Sequence, residues 1–101
     1  MVSSLWTLTL VGGTYNPSVF FVYMVRCADG TLYTGLARDP QARLQVHNSG
    51  KGAKYTRSRL PVTLVYTEPC DSLSAALKRE RELKPWTRAR KEALIADAEG
   101  A

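Results

Sequence analysis

Five side chains in this sequence are of types that do chemistry: Tyr23, Tyr33, Arg43, His47 and Glu80. The glutamate stands where a core would not choose it. Apolar residues at Leu73, Ala76 and Leu77 begin the i, i+3, i+4, i+7 stripe of a helix, and the stripe continues at Glu80. A carboxylate on an inward face is costly unless a cation meets it, so Glu80 requires either a metal ion or a basic partner such as Arg43 or Lys84. Arg43 and His47 stand four apart, which places them on one face of a helix. A surface arginine and a packing histidine are the ordinary explanations for either alone. With two tyrosines on one face of a sheet, an inward acid and a basic loop, they form a set that a purely structural domain seldom assembles.

A short series of elements has to position these groups. Val19 to Arg26 is rich in β-branched and aromatic residues and reads as a strand buried on both faces, and Thr31 to Leu36 returns as a second strand. Ala28 is a poor first residue for a two-residue turn that needs positive φ there. A three-residue loop, Ala28-Asp29-Gly30 with Gly30 left-handed, is therefore expected, and it opposes Cys27 to Thr31. In that register Val25 faces Tyr33, and Tyr23 and Tyr33 share one face with Gly35, leaving open space for a ligand. Asp39 and Pro40 start a helix that runs to about Asn48 and stops at Gly50. Gly50 to Arg59 has no apolar period and reads as a basic loop. Pro61 to Thr67 is a third strand, with proline confined to its start. Asp71 and Ser72 cap a second helix to about Lys84, ended by Pro85, and Thr87 caps a third from Arg88 to about Asp97. The order ββαβαα predicts an α+β domain, a small three-stranded antiparallel sheet flanked by three helices. That domain spans residues 19–97, with 98–101 as a tail.

The chain has 101 residues, 45% hydrophobic and 23% charged, which suits one globular domain and argues against two. Its net charge of +5 is unevenly placed. Arg38, Arg43, Lys51, Lys54, Arg57 and Arg59 face only Asp39, and seven basic residues from Lys78 to Lys91 face only Glu80 and Glu82. The remainder is acidic. Two basic segments in one small domain suit a polyanion lying across one surface, since neutralised phosphates release counterions. Nucleic acid is the natural partner. The basic stretches lack the Trp, Phe and Leu face of an interfacial helix, and no apolar run approaches the ~20 residues of a membrane span. Cys27 and Cys70 form no CxxC pair and read as buried small hydrophobes in a reducing compartment, and a single histidine excludes His-rich metal clusters. Residues 1–18 lack a positive n-region before Arg26, so they read as a leader or an added edge strand of a cytoplasmic protein rather than a secretory signal.

At this point the chain resembles the GIY-YIG nuclease domain family, in particular its short single-domain bacterial subgroup. The first signature is matched by Phe21-Val22-Tyr23 and the second by Tyr33-Thr34-Gly35. The family arginine falls on Arg43, followed by His47, and the family glutamate on Glu80. Ser49 to Tyr55, Lys84-Pro85-Trp86 and Arg90 to Ile95 are similar to the subgroup. Phe21 stands where the signature has Gly, Thr34 where it has Ile, and no asparagine follows Glu80. The resemblance implies a metal-dependent endonuclease that hydrolyses phosphodiester bonds in DNA, in repair or in processing of branched structures. It implies one divalent ion, Mg²⁺ or Mn²⁺, on Glu80, with Arg43 on the phosphate oxygens and Tyr23, or else Tyr33, taking or orienting the proton of water. His47 is a second candidate for proton transfer or phosphate contact. A phenol near pKa 10 needs cationic neighbours to ionise, and basic residues are plentiful here. Lys51, Lys54, Arg57, Arg59 and Lys84 are the implied grip on the nucleic acid backbone, with DNA favoured over RNA. Two alternatives stand beside this reading: a non-catalytic nucleic-acid-binding module of the same fold, and an interaction protein whose basic face meets an acidic partner. The oligomeric state is not written in the sequence.

Overall fold

A computed structural model describes residues 19–100. The expectations for the leader at 1–18 lie outside the described residues. The elements, in chain order, are β1 (Phe20–Arg26), β2 (Leu32–Ala37), α1 (Pro40–Asn48), α2 (Lys54–Arg57), β3 (Thr63–Cys70), α3 (Leu73–Leu83) and α4 (Arg88–Gly100). The strands form one antiparallel sheet in the order β2-β1-β3. Three of the four helices among the described residues are the expected ones, so the ββαβαα order holds with the single turn α2 set into the basic loop. One helical turn is too short to show an apolar period, which is why the sequence reads there as loop.

β1 takes the central place because its apolar run can be covered on both sides: Val22, Tyr23, Met24 and Val25 are all buried. The hairpin to β2 has the bulged turn. Gly30 has φ 86°, its N–H donates to the Cys27 carbonyl at 2.9 Å, and the Cys27 N–H donates to the Thr31 carbonyl at 2.8 Å. Val25 pairs with Tyr33 and Tyr23 with Gly35 as that turn requires. The two faces of the sheet then carry separate layers. Val22 and Met24 pack with Ala76 and Leu83 of α3 and Ile95 of α4, whereas Tyr23 and Val25 pack with Cys27, Val62 and Leu44 of α1.

The helix ends follow their cap chemistry. The Asp39 carboxylate accepts the Ala42 N–H at 3.1 Å, Ser72 accepts that of Ala75 at 3.1 Å, and Thr87 accepts that of Arg90 at 3.2 Å. Gly50, at φ 84°, closes α1 by donating its N–H to the His47 carbonyl. α4 runs past the expected end near Asp97 to Gly100, taking in part of the presumed tail.

Three further expectations are corrected. β3 starts at Thr63 rather than Pro61, because both backbone groups of Val62 are claimed by a side chain: Asn48 donates to the Val62 carbonyl at 2.9 Å and accepts its N–H at 2.7 Å. The strand also runs on to Cys70 through Pro69, which an edge strand tolerates because one side needs no ladder donor. The inward line of α3 is Ala76, Glu80 and Leu83; Leu73 and Leu77 are 47% and 40% exposed, because the small Ala76 and the large Leu83 set the helix phase against Val22 and Met24. Cys70, at the end of an edge strand, is only half-buried, while Cys27 is buried, and both are free thiols.

The Asn48 clamp ties α1 to the start of β3, and Val62 is 4% exposed. Asn48→Ala leaves a buried N–H and carbonyl without partners, so it is expected to lower stability by about 1–3 kcal/mol. A drop in the urea midpoint at unchanged m-value checks this.

Candidate active site

The centre of the site is a chain of hydrogen bonds on the α1 side of the sheet. Tyr23 Oη lies 2.8 Å from His47 Nε2, and His47 Nδ1 lies 2.9 Å from Thr56 Oγ1. Thr56 Oγ1 has one proton and donates it to the Ala53 carbonyl at 2.9 Å. Toward His47 it therefore accepts, which puts the imidazole proton on Nδ1 and leaves Nε2 as the acceptor for the Tyr23 hydroxyl. The direction of the chain is thus fixed: Tyr23 O–H to His47, His47 N–H to Thr56, Thr56 O–H to Ala53.

All three side chains are buried, Tyr23 at 1% exposure and His47 and Thr56 at 0%. Burial, reinforced by the Arg43 charge, pushes the His47 pKa below its ordinary value and keeps the ring neutral. Burial also raises the Tyr23 phenol to about 12; the nearby Tyr33 and Glu80 push the same way, and the Arg43 guanidinium opposes them. The expectation that basic neighbours would ease ionisation of Tyr23 is therefore corrected: Arg43 is there, but desolvation outweighs it. The space over Gly35 is not open either. A Cβ on Gly35 would lie 2.7 Å from Tyr23 Oη and 2.8 Å from Cζ, so the missing side chain is the room in which the phenol sits. Gly52 plays the same part for His47, where a Cβ would come within 2.4 Å of Nδ1 and 2.9 Å of Cα.

Tyr33 is the more exposed of the two phenols. Its ring meets His47 edge-on at 5.4 Å and stacks on Tyr55 at 6.1 Å, and Lys84 Nζ lies 5.6 Å from its centroid. Glu80 belongs to α3, which packs on the opposite face from α1, yet its charge is felt at Tyr23, and Lys84, its neighbour one turn on, reaches Tyr33 on the edge strand β2. Lys84 thus links the two, pairing with Glu80 on one side and reaching the Tyr33 ring on the other. The Glu80 side chain is 20% exposed and its Oε2 lies 3.6 Å from Lys84 Nζ. The pair with Lys84, rather than one with Arg43, is the ion pair that forms.

The basic loop divides. Lys51, Lys54 and Arg57 are exposed, with Arg57 Nε donating to the Gly52 carbonyl at 3.3 Å. Arg59 instead pairs with Asp29 at 3.1 Å, donates to the Tyr55 carbonyl at 2.7 Å and lies 3.9 Å over the Tyr55 ring, docking the loop on the hairpin. His47 is fully buried, with both ring nitrogens hydrogen-bonded within the protein. The residues that sequence reasoning missed are Thr56, Gly52 and Tyr55. Only Gly52 left a trace, as a second glycine in a loop that needed one.

Among the described residues, no group of three or more His, Cys, Asp or Glu is placed to hold a metal ion. A Mg²⁺ ion does not require such a group, since it keeps several waters and is bound through one or two carboxylates plus substrate phosphates. Glu80, partly exposed and held by one loose contact, supplies one hard oxygen donor of that kind.

The neutral His47 gives stability a pH dependence. Its folded pKa lies below the unfolded value near 6.5, so its contribution is fully present above that pH and declines as pH falls toward the folded pKa. Denaturation midpoints of the wild type are expected to fall more steeply between pH 7 and 5 than those of His47→Gln. Parallel curves would remove the neutral, buried histidine from the account.

The chain is similar to known proteins in both sequence and structure. A family model described as the GIY-YIG catalytic domain matches residues 19–93. A UPF0213 protein of Natronomonas pharaonis is 54% identical over 80 residues, covering 79% of this chain and 94% of that protein. A UPF0213 protein of Staphylococcus aureus is 56% identical over 77 residues, 76% of this chain and 94% of its own. Among solved structures, that of a protein from E. faecalis is similar with a TM-score of 0.58 at 37% identity, covering 86% of this chain and 93% of the other. The solution structure of a UPF0213 protein from Bacillus halodurans is similar at 44% identity with a TM-score of 0.50, covering 77% and 83%.

Proposed function

This chain belongs to the GIY-YIG domain family, whose members are generally nucleases, and from that premise we propose that it is a metal-dependent endonuclease acting on DNA. The observation that carries the reading is the directed chain from Tyr23 through His47 to Thr56, with Arg43 and Glu80 in electrostatic reach of the phenol. Tyr23 is a poor base by itself, since it is almost wholly protonated at neutral pH. Its hydroxyl is already pointed at an acceptor, however. As a water proton passes to Tyr23 Oη, the Tyr23 proton passes to His47 Nε2, and the water oxygen forms its bond to phosphorus. The bond from phosphorus to the leaving oxygen breaks with its electron pair, and solvent protonates that oxygen. Arg43 neutralises the non-bridging oxygens as charge builds on them. Tyr33 orients the phosphate, and Lys51, Lys54 and Arg57 grip the backbone without reading sequence. Glu80 would hold the divalent ion, which would supply Lewis-acid stabilisation of the phosphate charge. The proposed role is DNA repair or the processing of branched structures.

The test is incubation of the purified protein with single-stranded, duplex and branched oligonucleotides in Mg²⁺, in Mn²⁺ and in EDTA, beside Glu80→Gln. Cutting that needs the metal and disappears in Glu80→Gln, with gel-shift binding retained, is the expected outcome. Salt-sensitive binding by the wild type with no cutting of any substrate would instead make the chain a nucleic-acid clamp.

A further inference from the structure

A cavity of about 280 Å³ lies beside the phenols, lined by Tyr33, Thr34, Tyr55, Lys84 and Lys91 among others. Leu32, Tyr33 and Thr34 all line it although successive strand residues face opposite ways, so it sits astride the exposed edge of β2. Two of its groups have no internal account. Thr34 is 2% exposed, and its Oγ1 is a buried polar atom with no hydrogen-bond partner. Lys91 is 7% exposed, and among the described residues it pairs with no carboxylate; the adjacent Glu92 is taken by Arg26 and Arg88. Lys84 adds a second amine, and burial, with the Lys84 charge adding to it, holds the Lys91 pKa below the ordinary lysine range. A mostly buried lysine without a carboxylate partner and a buried hydroxyl without a hydrogen bond meet in this cavity, and an anionic oxygen entering it serves both.

We propose that this cavity is a second phosphate subsite, in which Lys91, Thr34 and Lys84 hold a phosphate of the nucleic acid other than the one being cut. The source of the phosphate, though not the anion site itself, rests on the reading of the chain as a nucleic-acid enzyme. The group is either an internal diester of the bound strand or the monoester at its end. In the first case the subsite sets the register of the strand in the active site; in the second it measures the distance from an end to the cut.

The experiment is fluorescence anisotropy in EDTA, where no cutting occurs. Oligonucleotides of one sequence carrying a 5′-phosphate, a 3′-phosphate or neither are titrated into wild type, Lys91→Met and Thr34→Val. Lys91→Met is expected to bind about tenfold more weakly with the magnitude of its log K against log salt slope reduced by about 0.7–0.9, one phosphate contact, and with no loss of thermal stability. A smaller loss is expected for Thr34→Val. If the wild-type advantage appears only with a terminal phosphate, the monoester is the occupant; if it appears with all three strands, the diester is. Equal affinity and equal slope in wild type and Lys91→Met would overturn the subsite. As a readout independent of any variant, the Lys91 ε-carbon resonance of the wild type is expected to move when inorganic phosphate is added, and its failure to move would contradict the proposal. Cutting activity with no dependence on Lys91 would sink the subsite and leave the nuclease standing, whereas Lys91-dependent binding by an inert protein would do the reverse.

Discussion

Arg43→Ala is expected to slow phosphodiester cleavage by about 10²- to 10³-fold, the usual loss when one donor to a developing anionic charge is removed. Arg43 has no carboxylate partner in any ion pair among the described residues, and it is half-buried on α1, one turn before His47. Its charge acts on the site instead, opposing the rise of the Tyr23 pKa and lowering that of His47. Because no ion pair is lost, the fold should tolerate the change. Arg43→Lys should restore only part of the rate, since an ammonium is a point charge and does not present the planar fork that matches two phosphate oxygens. A second readout separates this role from a structural one: without the guanidinium, the His47 titration followed by NMR should move back up toward 6.5. A variant that cuts at the wild-type rate, or a His47 titration that does not move, would remove Arg43 from the site.

Tyr23→Phe is expected to lower the rate by about 10²- to 10⁴-fold, the range for loss of a positioned proton-transfer group. The ring is retained, so the close packing over Gly35 survives. The cost in stability is one hydrogen bond and an unsatisfied His47 Nε2, about 1–3 kcal/mol, so rates belong well below the variant's midpoint. Binding of the oligonucleotide should be unchanged. Tyr33→Phe should cost much less, because the half-exposed Tyr33 hydroxyl is in no hydrogen bond to His47. Gly35→Ala gives an independent route to the same loss: its Cβ would meet the Tyr23 hydroxyl at 2.7 Å and displace it from His47 with the phenol still present. A Tyr23→Phe enzyme within a few-fold of wild type would leave Tyr33 as the group that handles the water proton.

What could be read from the sequence was whatever local chemistry dictates. The hairpin register followed from Ala28 and Gly30, because one residue tolerates positive φ and the other does not. The start of α1 followed from Asp39 and Pro40 for the same kind of reason. Glu80 stood out because a carboxylate on an apolar stripe is a local contradiction, even though the stripe was placed partly wrong: Leu73 and Leu77 are exposed and Leu83 is the buried anchor. Packing across long separations was not legible. That Thr56 would fix the tautomer of His47, or that Gly52 would be the floor beneath its ring, depends on α2, a turn too short to leave a period. That Tyr23 occupies the space beside Gly35 was hidden for a related reason. Gly35 suggested empty space, and only the three-dimensional arrangement shows that the tyrosine itself fills it. Lys91 read as one more member of a basic run, since nothing local distinguishes a buried lysine from a solvated one.

The most direct measurement is paramagnetic broadening by Mn²⁺ in the NMR spectrum of the free protein, followed at the ring protons of Tyr23 and Tyr33 and at the Lys84 side chain. A single ion held by Glu80 broadens these signals selectively in the wild type and leaves them sharp in Glu80→Gln. Broadening that is absent there, or that persists unchanged in Glu80→Gln, would show that the acid and the phenols do not share a metal-binding centre.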